Sequence, residues 1–288
     1  MTKSSDTTAL LLVLGAVVSV QFGGAFAATL IPVIGAAGTV LLRLLFGALL
    51  LLVLARPRLR GHRRGDWVHV VALGVSIGVM NLLFYQSLAR IPIGVAVTVE
   101  FIGPLLLSTV LARRAIDYAA IVAAALGVVL ISQVLTRSWA EISWVGLAFA
   151  LGAGVAWAVY ILASARTGAA FPGLDGLAIG MLIALVVIAP LGVTSLPRWT
   201  WAAAAVCLLL ALMSSVIPYS LEMLALRRLD ARIFGVLLSL EPAVAALAGL
   251  LVLGQRLAPP QVVGMALVVL AGALISGRRR ATPSVVGD

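Results

Sequence analysis

The sequence predicts an all-α integral membrane protein of ten transmembrane helices, arranged as two inverted five-helix repeats. Three observations carry that expectation: a composition too apolar for a water-facing surface, ten long apolar runs, and a motif that recurs between the halves. Of 288 residues, 63% are hydrophobic and only 10% are charged, against about 25% charged in a typical soluble domain. Ten spans of about 20 residues use about 200 positions, which leaves no room for a soluble catalytic domain. The single Cys207 excludes a disulfide framework or a multi-cysteine metal site. Its apolar surroundings make it an ordinary buried small residue.

The apolar runs fall at 9–31, 34–55, 68–89, 93–112, 118–135, 144–165, 174–196, 201–224, 232–254 and 259–277, each long enough to cross a bilayer as a helix. The first stays apolar from Ala9 to Ile31 apart from Gln21. That outlasts the roughly 7–15 apolar residues of a secretory signal, so a retained helix is expected. The second carries Arg43 within it, and the third holds Gly74-Val-Ser-Ile-Gly78, a spacing that favours close helix packing. Pro104, Pro218 and Pro242 mark the fourth, eighth and ninth runs as places where a helix bends.

The net charge of +10 acquires meaning from its distribution. Alternate connections hold fifteen basic residues: Lys3, Arg56, Arg58, Arg60, Arg63, Arg64, Arg113, Arg114, Arg166, Arg227, Arg228, Arg232, Arg278, Arg279 and Arg280. The others hold four, Arg90, Arg137, Arg198 and Arg256. Cytoplasmic connections are the Lys/Arg-rich ones, so both termini are expected in the cytoplasm of a bacterial-type inner membrane. The charge is then a topology signal that also meets anionic lipid, and not a nucleic-acid footprint.

The halves echo one another. Gly94-Val-Ala-Val-Thr-Val-Glu100 and Gly235-Val-Leu-Leu-Ser-Leu-Glu241 share the pattern G-x5-E, with a proline after each glutamate. Gly127-Val-Val-Leu-Ile131 is echoed by Gly272-Ala-Leu-Ile275. The expected units are residues 1–139 and 140–288. Five spans are an odd number, so tandem copies insert with opposite orientation. Such a pair can exchange inward-open and outward-open shapes about a central site, the geometry of alternating access.

A charge at the centre of a span costs about 2.5–3.5 kcal/mol on insertion scales, so the polar residues kept there are candidates for function. Only three of the ten acids lie more than one residue inside a span: Glu100, Glu222 and Glu241. Two readings of Glu100 and Glu241 stay open, a substrate-amine or proton-carrying role and a structural brace. Arg43 has three candidate partners: the cytoplasmic interface, a structural ion pair and a substrate carboxylate. Asn81 and Tyr85 share one helix face, as do Trp157 and Tyr160, and Tyr219 and Glu222. With Gln21 they form an expected polar pathway suited to a small zwitterion, beside the plainer reading of interhelical hydrogen bonds.

No P-loop or HExxH motif occurs, and neither His62 nor His69 lies where it would meet a buried acid. A pump or metal enzyme is therefore not expected, nor a metal, a cofactor, nucleic acid or an obligate protein partner. The expected partners are a small-molecule solute and membrane lipid, with protons as a candidate coupling ion. A membrane-embedded enzyme or sensor remains as a third, weaker class.

Ser19-Val-Gln-Phe-Gly-Gly24, Leu42-Arg43-Leu44, Met80-Asn-Leu-Leu-Phe-Tyr85, Ile91-Pro-Ile-Gly-Val-Ala96, Glu100-Phe-Ile-Gly-Pro104, Trp157-Ala-Val-Tyr-Ile161, Pro218-Tyr-Ser-Leu-Glu-Met223 and Phe234-Gly-Val-Leu-Leu-Ser-Leu-Glu-Pro242 occur in that order. Together they resemble the EamA-type carriers of the drug/metabolite transporter superfamily, and within them the threonine/homoserine exporter branch. The resemblance implies a ten-helix inner-membrane carrier that exports amino acids or related metabolites. Ala28 stands where that branch tends to have lysine, and Gln255 where these carriers usually have glutamate. Aromatic or broadly neutral amino acids are alternative substrates, and drugs, nucleosides or lipid-linked sugars are the alternative class within the superfamily.

Overall fold

In hydrocarbon a backbone must satisfy its own N–H and C=O groups, and a helix does so within one segment. The computed structural model describes residues 2–91, 93–112, 114–132, 143–241, 243–244, 247 and 258–279, and among them every regular element is helical. Five stretches are long and apolar enough to cross a membrane: Leu30–Ala55, Arg64–Leu88, Trp144–Ala170, Asp175–Arg198 and Trp201–Leu226. Shorter apolar helices lie at Thr7–Gly23, Ala115–Ile131 and Pro259–Ala271. The chain is a multi-pass membrane protein.

The elements follow the sequence closely. Helix α1 (Thr2–Ala55) covers the first two predicted spans, divided at Gly35 where φ is 76° and ψ is 164°. Only glycine adopts that backbone region freely, so one residue does the work of a loop. Helix α2 (Arg64–Leu88) starts where the Asp66 carboxylate accepts from the Arg63 backbone N–H at 2.9 Å, while the Asp66 N–H donates to the Arg63 carbonyl at 3.0 Å. The fourth predicted span is two helices, α3 (Ile93–Glu100) and α4 (Ile102–Val110), interrupted at Phe101. Pro104 has no N–H to give the carbonyl of Glu100 four residues earlier, which accounts for the break at that point.

Helix α5 (Ala115–Ser132) is followed by α6 (Trp144–Ala170), whose cap Ser143 accepts from Gly146 N at 3.3 Å. Helix α7 (Asp175–Gly192) continues into a 3-10 turn over Val193–Arg198. The eighth predicted span is α8 (Trp201–Ala211), a π-helical turn over Leu212–Val216, and α9 (Ile217–Leu226). In the π-turn the N–H of Ile217 reaches back five residues to Leu212 O. The next such bond would need an N–H at 218, which is proline. Ser19 of α1 supplies the missing donor, its hydroxyl bonding Met213 O at 2.7 Å. Helices α10 (Ala231–Leu237) and α11 (Pro259–Arg279) complete the described set. Pro242 and most of the ninth predicted span beyond it lie outside the described residues.

The largest interfaces join α2 to α6, α5 to α11, and α1 and α2 to α7. Small residues permit the closest approaches, as expected where lipid supplies no hydrophobic drive between helices. A Cβ on Gly74 would meet Gly180 O of α7 at 2.5 Å, and one on Gly78 would meet Ala184 O at 3.3 Å. A Cβ on Gly127 would meet Gly264 O at 2.7 Å, and the reverse approach is 2.6 Å. Gly103 of α4 and Gly154 of α6 touch backbone to backbone. The burial pattern is inside-out relative to a soluble protein: Trp201 is 92% exposed and Val110 81%, while Arg43 is 3% exposed and Glu222 4%.

The end of the bundle with the arginine-rich connections is tied together. Arg58 N donates to Asp175 at 3.1 Å, and the His62 ring stacks on Phe171 with centroids 4.0 Å apart. Arg227 donates to the carbonyls of Phe171 at 2.7 Å and Gly173 at 2.6 Å. Partial burial draws the Arg227 pKa below its usual value, with the Asp175 carboxylate acting the other way.

Candidate functional site

Six of the polar residues singled out from the sequence meet in one buried network: Arg43, Asn81, Tyr85, Tyr160, Tyr219 and Glu222. They come from α1, α2, α6 and α9. Arg43 reaches across to α2, where the four-residue spacing of Asn81 and Tyr85 presents both to it. One Nη donates to the Tyr85 hydroxyl at 3.0 Å and the other to Asn81 Oδ1. The guanidinium carbon also lies 5.3 Å from the Tyr85 ring centroid, within cation–π range. Because Asn81 Oδ1 accepts from Arg43, its amide nitrogen faces the other way, donating to Ile77 O at 2.7 Å and to the Tyr219 hydroxyl at 2.8 Å.

Tyr219 continues the network. Its ring lies 5.4 Å from that of Tyr160, tilted by 48°. The Tyr160 hydroxyl donates to Glu222 Oε2 at 2.6 Å, a short charge-assisted bond. Glu222 stands one turn after Tyr219 on α9. A buried path of amide and phenol groups therefore runs from a guanidinium at one end to a carboxylate at the other.

The remaining candidates sit around this path. Trp157 packs edge-on to Phe101, with centroids 5.7 Å apart and planes at 78°, and makes an aromatic wall where α6 meets the break between α3 and α4. Glu100 is buried, and the site of a Cβ on Gly154 is occupied by its backbone carbonyl. Gln21 donates to Glu241 Oε2 at 3.3 Å, linking the first helix to the segment after α10. Among the described residues none of the three in-span acids forms an ion pair with Arg43, whose partners are neutral. Pro104 and Pro218 sit at the helix interruptions, as their chemistry requires.

Three contributors escaped the sequence reading of the site. Ser19 was visible only as part of a motif, and its partner, the Met213 carbonyl, emerges only once the π-turn forms. Phe101 reads as an ordinary apolar residue until Pro104 fixes the break beside it. Ser214 of the π-turn presses its hydroxyl on Gly23 of α1; the Ser214-Ser215 pair ahead of Pro218 was the available signal.

A membrane-embedded helical bundle with charged and phenolic side chains buried at its heart is compatible with a solute carrier. Residues 144–277 match the EamA-like transporter family. The threonine/homoserine exporter RhtA of Escherichia coli (strain K12) is 38% identical over 262 residues, covering 90% of this chain and 88% of its own length. The RhtA of Salmonella typhimurium (strain LT2) has the same identity and coverage. A solved crystal structure with 20% identity superposes with a TM-score of 0.78, over 96% of this chain and 99% of its own, a likeness of fold. The chain belongs to the EamA-like transporter family.

Proposed function

We propose that this protein exports amino acids, with threonine, homoserine and other neutral or aromatic amino acids as its substrate class, across the inner membrane by alternating access. The observation that carries the reading is the buried Arg43–Asn81–Tyr219 and Tyr160–Glu222 network, in a chain similar over nearly its whole length to exporters of threonine and homoserine. Side chains that bear opposite charges and hydrogen-bonding groups, kept from water and lipid, suit a small polar solute. The proposed pathway is lined by Asn81, Tyr85, Trp157, Tyr160, Tyr219 and Glu222, with Gln21, Glu100 and Glu241 beside it.

The proposed architecture is ten spans in two inverted units, residues 1–139 and 140–288, with both termini cytoplasmic. The Asn81–Tyr219 hydrogen bond supports a central site by joining one unit to the other, at the interface where inverted units hold their substrate. The Pro104 break and the π-turn before Pro218 supply one bending point in each unit. Protons are the proposed coupling ion, with Glu100 and Glu241 as carriers.

The test is flux in proteoliposomes with labelled threonine, methionine and phenylalanine, with and without an imposed pH gradient. Saturable flux of one, competed by the others and driven by the gradient, is the expected outcome. A folded, reconstituted protein that moves none of the three is instead a carrier of another solute class.

A further inference from the structure

We infer that Arg43 takes the carboxylate of the transported solute and that Glu222, by exchanging its bond from Tyr160, takes the ammonium, so that the site selects zwitterions over solutes carrying either charge alone. The inference rests on the amino-acid reading above and divides its site between two named residues.

Arg43 is a fully buried cation whose hydrogen bonds both go to neutral groups. Buried charges in proteins are ordinarily paired, because an uncompensated one keeps its desolvation penalty. Among the described residues no carboxylate pairs with it. Its Nε, moreover, is buried with no hydrogen-bond partner, an unmet donor that native interiors seldom tolerate without a ligand or water. A carboxylate lying along the Nε edge of the guanidinium receives two parallel bonds, one from Nε and one from an Nη, the geometry in which arginine surpasses lysine. The unmet donor lies on the edge that such a ligand needs.

Glu222 is the counterpart. It is buried, its bond is to the Tyr160 hydroxyl, and no basic side chain among the described residues pairs with it. Tyr219 takes the amide of Asn81, which holds Arg43, and packs its ring on Tyr160, which holds Glu222. If the two charges met directly, they would neutralise each other and leave a solute nothing to offer. Asn81, Tyr219 and Tyr160 hold them apart. A solute with both charges satisfies both ends and leaves the site's total charge unchanged. One with a single charge leaves the opposite end buried and unpaired, and sites with unpaired polar groups reject such analogues strongly.

The experiment is competition against labelled threonine uptake in proteoliposomes, using threonine, threonine amide and 2,3-dihydroxybutyrate, the analogue with hydroxyl in place of the amine. The wild type is expected to bind each analogue about a hundredfold or more weaker than threonine. In Arg43→Gln the gap between threonine and its amide collapses, while the hydroxy acid stays weak or weakens further. In Glu222→Gln the gap between threonine and the hydroxy acid collapses instead. Equal competition by the amide and threonine in the wild type overturns the inference without any variant, as does an Arg43→Gln protein that keeps the wild-type gap. Failure of the wild type to move any amino acid is a different result, because it removes the functional reading itself.

Discussion

The side-chain amide of Asn81 donates to the phenol of Tyr219 at 2.8 Å, across 138 positions of chain, and so fixes α2 to α9 at the centre of the polar network. The same side chain turns its oxygen to Arg43. Asn81→Ala deprives a buried guanidinium and a buried phenol of partners at once. Thermal unfolding in detergent should show a loss of about 1–3 kcal/mol. An unchanged transition would mean that neither bond contributes.

The Ser19 hydroxyl and Pro218 form a second coupled pair, joined through the carbonyl of Met213. Ser19→Ala leaves that carbonyl without a donor and should cost about 1–3 kcal/mol. Pro218→Ala restores an N–H at the position the π-turn needs. In the Pro218→Ala background the cost of Ser19→Ala should therefore shrink to a fraction of its original value. A double-mutant cycle with no coupling energy would refute the link.

Close packing makes its own prediction. Gly154→Ala drives a methyl into the backbone of Glu100, where α6 meets the α3–α4 break. The expected destabilisation is about 1–3 kcal/mol, the usual cost of overpacking. Gly65→Ala, where a Cβ meets nothing within 4 Å, is the control and should be neutral or stabilising by up to about 1 kcal/mol. Equal melting temperatures for the two variants would count against the packing described for α6.

Removing charge from the in-span acids tests the transport cycle. Glu100→Gln and Glu241→Gln keep shape and hydrogen-bonding capacity and lose only the ionised form. If either glutamate carries the coupled proton, its variant should lose gradient-driven flux while substrate exchange across the membrane persists. Full gradient-driven flux in both would remove them from the coupling step and leave the structural brace.

Much of this was legible in the sequence because lipid imposes simple rules. A run of 20 apolar residues must be helical, and a polar residue kept inside one must have a partner. Those rules gave an all-helical membrane protein and picked out Arg43, Asn81, Tyr85, Tyr160, Tyr219 and Glu222. The partners themselves were not legible. None of the three partners expected for Arg43 was the neutral pair it bonds, Asn81 and Tyr85, because reading along a helix fixes which residues share its face and not which face a neighbour presents. The break at Phe101 had its cause printed in Pro104, yet where the helix yields depends on the Glu100 carbonyl that the proline leaves without a donor. The π-turn had a weaker signature still, since an extra residue per turn changes no composition and is stabilised by Ser19, 194 positions away from Met213.

Gly35 joins the two segments of α1 without a loop, and Arg43 rides on the second segment, two turns past the joint. The angle between the two segments is therefore set by the two backbone dihedrals of one residue, in a region a side chain would disfavour. A Cβ at that position would reset the angle, and with it the height at which the guanidinium meets Asn81 and Tyr85.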